Sequence, residues 1–135
     1  MTDVRVKPCG ACPYRKDVPS GVWAAEEYDK LRPYDNPTAQ QPFQGFSCHA
    51  TPEYYCHGWA VVHTSRGHAY DLIALRFSPP STWPEPCGIE LFDSGNEAAD
   101  HGQAEVELPG AAALAAIERL TRRYGRLHEH QGQRT

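Results

Sequence analysis

The sequence lacks the features that mark proteins acting on nucleic acids or in membranes. It has 13 basic residues against 17 acidic ones and a formal net charge of −4, so the basic excess of nucleic-acid-binding proteins is missing. No apolar run approaches the ~20 residues that span a bilayer, and residues 1–6 lack the apolar centre of a signal peptide. We therefore expect a cytoplasmic protein, with membranes excluded and nucleic acid disfavoured as partners.

Catalytic motifs are missing as well. The chain contains no Gly-rich phosphate loop, no His-Glu-x-x-His and no Ser-His-Asp order. The adjacent Asp100 and His101 are better explained by surface hydrogen bonding than by acid–base catalysis. The apolar share is 40%, and many of these residues are alanines, which bury little area each. The composition favours one small, non-enzymatic domain that would gain stability from a cross-link.

Prolines and glycines, 12 and 11 in number, separate short helical stretches. This pattern predicts a mainly α protein with long irregular Pro-rich loops. Residues 69–77 fit a helix or a strand equally, because so short an apolar stretch has no distinctive period. Capping residues and apolar periodicity place four helices: residues 22–31 after Ser20, residues 52–62 after Thr51, a short helix opened by Ser94 and Glu97, and a last helix from Pro109 to Tyr124 or beyond.

The same patterns predict how the core is built. Phe43 and Phe46 should pin the connection of residues 33–47 to it. The chain divides into a cysteine-rich, metal-binding half (1–66), a helical half (67–128) and a frayed tail (129–135). The last helix should bury a stripe made of Leu114, Ile117, Leu120, Tyr124 and Leu127.

Four cysteines form the most specific pattern in the chain. Cys9 and Cys12 make a Cys-x-x-Cys followed by proline, and Cys48 and Cys56 come later. Four thiolates suit a tetrahedral zinc ion or a small iron–sulfur cluster. In a reducing cytoplasm, such a set is more typical of metal ligands than of disulfides. We predict that all four bind one metal, zinc being favoured because a structural role needs no redox partner.

Other uses of these residues stay open. Buried unbound thiols and a redox-active Cys9–Cys12 pair are the alternatives to a metal site. His49 and His57 compete as ligands, but each directly follows a cysteine, and neighbours on a helix point about 100° apart. The fifth thiol, Cys87, stands alone and receives no role.

Three residues are candidates for supporting the metal without binding it. Arg15 and Lys16 follow the Cys-x-x-Cys and would offset the charge of about −2 on a zinc–four-thiolate unit. Trp59, one turn after Cys56, should pack beside the site. Further along, Arg119, Arg122, Arg123 and Arg126 recur at helical spacing, which indicates either a solvated face partly paired with Glu118 or a docking strip for an acidic partner.

Five segments carry the most specific motifs of the chain: CPYRKDVPSGVW (12–23), YD (34–35), FSCH (46–49), CHGW (56–59) and LFDSGNEAADHG (91–102). They resemble a family of small uncharacterised proteins from actinobacteria and their phages. The resemblance spans nearly the whole chain, and it implies an intracellular actinobacterial or bacteriophage setting but no activity. By this resemblance, Ala50 stands where glutamine is expected after Cys-His, and Cys87 is a local addition.

Together these features predict a metal-stabilised interaction or regulatory protein that binds a cellular or host protein. An iron–sulfur redox protein or sensor is the alternative. A zinc enzyme with an open ligand position is a second one. The sequence specifies neither the partner nor the oligomeric state.

Overall fold

The computed structural model describes residues 3–64, 72–81, 83–85 and 87–124, and within these ranges it has helices but no β-strand. The mainly α class is therefore confirmed for the described chain. Two 3-10 turns, Arg32–Asp35 and Thr38–Gln40, lie between the first two helices. The helices are α1 (Ala25–Asp29), α2 (His57–Thr64), α3 (Ile73–Phe77), α4 (Gly95–Gln103) and α5 (Ala111–Tyr124).

Helix α4 begins where its capping residues predict. The Ser94 side chain accepts a hydrogen bond from the Glu97 amide at 3.0 Å. Glu97 reaches back to the Asp93 amide at 3.2 Å, a close variant of the capping box. The Asp35 carboxylate accepts from the amides of Gly95 and Asn96, both at 2.7 Å. This double cap ties the 3-10 turn at residue 35 to the start of α4.

Two predicted helix starts are wrong. Helix α1 begins at Ala25 rather than residue 22, because Ser20 bonds to the carbonyl of Gly102 and the amide of Glu105 instead of capping it. Helix α2 begins at His57 rather than residue 52. The chain after Thr51 forms a turn, with the Tyr54 amide bonded to the Thr51 carbonyl at 2.9 Å.

The buried face of α5 differs from the predicted stripe. Leu114 is 56% exposed, whereas Ala113, Ala116 and Leu120 are buried. The helix thus packs through small residues, which let its backbone approach the core closely. Ile117 is half-buried as expected. The predicted burial of the Tyr124 side chain and of Leu127, and the predicted frayed tail, lie outside the described side chains.

The core comprises two clusters of apolar residues that draw on both halves of the chain. The larger one contains all four candidate cysteines, Trp59 and Phe46. The second joins Trp23 and Tyr28 to α5. Adjacent residues of α4, Ala98 and Ala99, belong to one cluster each, so α4 connects them into one domain.

Phe43 departs from its predicted place in that core. It is 67% exposed and packs against the equally exposed Phe77, with ring centroids 5.5 Å apart. Of the two phenylalanines, only Phe46 is buried in the core. None of the helices in the described ranges is both long and apolar enough to cross a membrane.

Candidate metal centre

The four cysteines are brought together by turns and short bridges rather than by helices. A tight turn links Cys9 to Cys12, whose amide bonds to the Cys9 carbonyl at 3.2 Å. Around the later pair the chain folds back on itself. The amide of Cys48 bonds to Tyr54, and that of Cys56 bonds to Phe46, both at 2.8 Å. Cys56 therefore lies directly before α2 and not inside a helix.

The four cysteines interact as two pairs. The sulfurs of Cys12 and Cys56 lie 3.6 Å apart, and Cys9 and Cys48 shift each other's pKa in opposite directions. All four thiols are free and at most 4% exposed. The two pairs also influence each other electrostatically. Cys12 contributes to the raised pKa of Cys9, and Cys48 acts on the pKa of Cys12.

The pairs do not by themselves form a finished metal site. In the described part of the chain, no group of three or more histidine, cysteine, aspartate or glutamate side chains stands ready to hold a metal ion. Sulfurs bound to one tetrahedral zinc lie about 3.8 Å apart, given bonds near 2.3 Å. Only the Cys12–Cys56 separation is known to match this value. That one ion joins all four sulfurs stays a prediction.

Within each pair, the pKa of one cysteine is raised and the pKa of the other is lowered. The hydrogen bond to Cys48, together with burial, raises the pKa of Cys9. The bond from Cys9, aided by Thr51, lowers the pKa of Cys48 to about 5. In the second pair, burial raises the pKa of Cys56, and the bond from Cys56 lowers that of Cys12. The pKa values of the two cysteines in each pair are therefore shifted in opposite directions.

Every one of the four sulfurs also accepts a hydrogen bond from the backbone. Such donors stabilise the thiolate form, because an ionised sulfur buried away from water needs polar partners. A neutral buried thiol behaves as a small apolar group and gains little from such donors. The donors are the amides of Ala11 toward Cys9, Tyr14 and Gly58 toward Cys12, Ala50 and Thr51 toward Cys48, and Trp59 toward Cys56, the last at 3.5 Å.

Gly58 lets α2 approach the first cysteine pair. A Cβ at this position would lie 2.9 Å from the Cys12 sulfur and 2.7 Å from the Tyr14 Cβ. Both distances are closer than real contacts allow. Glycine is therefore the residue that permits the amide at position 58 to reach the sulfur.

Two of the three predicted supporting residues lie near the cysteines. Arg15 is held by Asp17 at 2.6 Å and donates to the Cys9 carbonyl at 3.3 Å. Its pKa is raised first by that bond to Asp17, with smaller contributions from Cys12 and Cys9. Trp59 is fully buried, and its amide reaches Cys56. Lys16 instead points to Glu90 at 3.9 Å and is half exposed.

The histidines near the cysteines have other partners. His57 Nδ1 bonds to the Arg5 carbonyl at 2.9 Å, and burial lowers its pKa. His49 Nε2 bonds to the Glu27 carboxylate at 2.8 Å, and both side chains are 6% exposed. Cys87 is exposed and lies outside the cluster.

Two buried polar contacts were not anticipated. The first is the Glu27–His49 pair, which Lys30 completes at 3.0 Å from Glu27. The second joins the Tyr14 hydroxyl to His63 Nε2 at 2.8 Å, with Asp35 3.7 Å from the other ring nitrogen. The paired residues are far apart in the sequence, so no local spacing could have indicated them.

Glu27→Gln should destabilise the protein in a pH-dependent way. Hydrogen bonds from His49 and then Lys30 lower the pKa of Glu27 from 4.5 to about 2. A carboxylate with a depressed pKa stabilises the fold above its ordinary pKa, and this stability is lost as pH falls. At pH 7 the variant should lose about 2 kcal/mol of unfolding free energy. Thermal or urea unfolding between pH 7 and 3 measures this.

The difference from wild type should shrink as the pH falls from about 4.5 toward 2. Glu26→Gln, a substitution at the exposed neighbouring position, is the matched control and should change stability by less than about 0.5 kcal/mol. A Glu27→Gln loss that stays constant down to pH 3 would show that the carboxylate's charge is not what stabilises the fold.

Residues 4–122 match the profile of a family of unknown function, DUF6283. The match covers most of the chain and includes all four candidate cysteines. The chain matches no curated protein and no solved structure.

Proposed function

The chain belongs to this family of unknown function, and we propose that it is a zinc-stabilised interaction protein whose metal is bound by the four buried cysteines. The observation that carries the proposal is the set of backbone amides directed at all four sulfurs. At metal sites, groups around the ligands typically hydrogen-bond to them and hold them in position, and the amides would do this for the thiolates here. Four sulfur ligands would close the coordination shell of zinc.

The metal would act as a clamp. Residues 3–24 contain no helix, so they have few local hydrogen bonds of their own. Cys9 and Cys12 lie in this segment, while Cys48 and Cys56 lie in the fold-back before α2. Binding one ion across both would couple N-terminal order to the rest of the core. Arg15 would offset part of the negative charge.

Two alternatives use the same cysteines. Four thiolates also suit an iron–sulfur cluster, which would make the protein a redox carrier or sensor. The second, a zinc enzyme, needs an open ligand position, and a closed four-sulfur shell leaves none for an activated water. The nearby histidines, engaged with Glu27 and Arg5, favour the closed shell.

The surface that would bind the protein partner is the arginine strip of α5. Arg119, Arg122 and Arg123 are exposed on this helix, and Arg126 lies outside the described residues. Arg122 contacts Glu118 at 3.8 Å, with both side chains at least 70% exposed. Such an exposed ion pair contributes at most about 1 kcal/mol to stability. An acidic partner could therefore replace Glu118 as the contact of Arg122 at little cost.

The Arg122→Glu/Arg123→Glu double variant should lose partner binding at least tenfold while keeping its metal and fold. Reversed charges repel an acidic surface, and both positions are exposed. The measurement is crosslinking of tagged protein in its own cells, followed by quantitative mass spectrometry, with metal content and thermal unfolding in parallel.

The matched control is Lys7→Glu/Lys16→Glu, which makes the same charge change at two exposed positions outside α5. It should retain the crosslinked partners. If the α5 variant retained all its crosslinked partners, the binding surface would lie elsewhere. If both variants lost their partners equally, the attraction would depend on net charge and not on the arginine strip.

A further inference from the structure

A cleft of about 380 Å³ lies between α1 and the Pro-rich connection, and the buried side chain of Glu27 is one of its lining groups. Because a water molecule occupies about 30 Å³ of the liquid, the cleft has room for about a dozen non-hydrogen atoms. Clefts of this size that combine apolar walls with a few polar groups are typical binding sites for small molecules.

The walls of the cleft are aromatic rings and prolines. Tyr34 and Phe46 are each 5% exposed and meet edge to face, with ring centroids 6.4 Å apart. The Tyr34 hydroxyl donates to the Gln44 carbonyl at 2.6 Å, which fixes the orientation of the ring. Aromatic faces attract cations and pack well against alkyl chains. The prolines that line the cleft are Pro33, Pro42 and Pro52.

Two buried side chains offer hydrogen-bond acceptors to the cleft. The Glu27 carboxylate, 6% exposed, accepts from His49 Nε2 at 2.8 Å and from Lys30 at 3.0 and 3.1 Å. A carboxylate has about four acceptor positions, so one stays available. His49 also lines the cleft, and its Nδ1 has no hydrogen-bond partner among the described residues. Since Nε2 donates to Glu27, Nδ1 of the neutral ring is an acceptor as well.

Lys30 is a competitor that a ligand can displace from the carboxylate. Its side chain is 52% exposed, whereas that of Glu27 is 6% exposed. An ion pair with so exposed a lysine is weak, so the ammonium group can turn into solvent at little cost. Glu27 would then stay buried, held by His49 and able to accept from another cation.

We infer that the cleft binds a small aliphatic cation, whose N–H groups bond to Glu27 and His49 and whose charge lies against the aromatic walls. Alkylammonium and alkylguanidinium groups carry donors and no acceptor, which matches the acceptors of the cleft. A free amine and the side chain of a basic peptide share this chemistry. The inference goes beyond the proposed metal clamp and does not depend on it, because no cysteine sulfur takes part.

The test is an NMR titration of the isotope-labelled protein with n-butylammonium, n-butylguanidinium, the anion n-butyrate and a blocked tripeptide with a central arginine. We expect saturable shifts centred on residues 44–49 with the cations and none with butyrate. Tripeptide binding as tight as that of the free cations would identify a peptide side chain as the ligand, and weaker binding a free amine. Equal binding of butyrate, no binding of any cation, or shifts centred elsewhere would overturn the inference.

Two substitutions test the role of the carboxylate. Lys30→Gln removes the competing ammonium group and should tighten cation binding about threefold. Glu27→Gln should weaken it by about tenfold or more, because a charge-assisted hydrogen bond is lost. Glu26→Gln, at the exposed neighbouring position, is the matched control and should leave the affinity unchanged. Weaker cation binding by Lys30→Gln would contradict the inference, and this result stays decisive if Glu27→Gln folds poorly.

Discussion

Cys12→Ser is expected to cost the protein its metal and at least about 4 kcal/mol of unfolding free energy, since loss of a metal is among the largest effects of a single substitution. Its sulfur lies 3.6 Å from that of Cys56 and accepts two backbone amides. Serine keeps a hydrogen-bond acceptor there but removes the thiolate that zinc would bind. Amide protection should fall most in residues 9–60, where the clamp is proposed to hold the chain. Hydrogen exchange with mass spectrometry measures it.

Cys87→Ser is the control, because it removes a thiol that is exposed and outside the core. It should stay within about 0.5 kcal/mol of wild type and keep its metal. Unchanged protection of residues 9–60 in Cys12→Ser would refute the structural role of the cysteines.

Gly58→Ala should destabilise the protein by about 1–3 kcal/mol, the usual cost of overpacking a well-packed interior. At an open helical position the same substitution would stabilise by about 1 kcal/mol. The sign of the change in unfolding free energy therefore shows whether position 58 is crowded or open. The added methyl would lie 2.9 Å from the Cys12 sulfur, so metal affinity should fall together with stability. Chemical denaturation and competitive metal titration measure the two effects.

Gly10→Ala is the matched control, at a position between Cys9 and Cys12. A Cβ there meets nothing within 4 Å. Its effect should be below about 0.5 kcal/mol. Equal effects of the two substitutions would mean that the close approach of α2 to the sulfur is unimportant.

Local signals in the sequence predict only part of this fold. The cap of α4 is confirmed because Ser94 and Glu97 act within one turn of chain. The Thr51-Pro52 signal fails because non-helical backbone pairing overrides it: the Cys48 and Cys56 amides bond to the carbonyls of Tyr54 and Phe46, which fixes this stretch as a fold-back.

The packing of α5 shows a second limit. Hydrophobic periodicity ranks Leu114 above Ala113, yet the alanine is buried and the leucine is exposed. A helix that packs closely against the core does so through small residues, and a pattern weighted by hydrophobicity favours large ones. Leu120 lies on both the predicted and the observed faces, so the error is a rotation of the helix.

At the candidate site, the sequence predicts the cysteine cluster better than its surroundings. The cysteine spacing singles out the four thiols that the structure buries in one cluster. The amide donors depend on backbone conformation, and Glu27 reaches His49 only through the tertiary fold. Neither can be inferred from residue spacing.

X-ray absorption at the metal edge, on protein purified without oxygen and quantified by elemental analysis, tests the central proposal most directly. It should show one zinc per chain with four sulfur neighbours at about 2.3 Å. Iron with absorption near 400 nm would instead support the cluster alternative. Protein free of metal, or zinc with fewer than four sulfur ligands, would contradict the account.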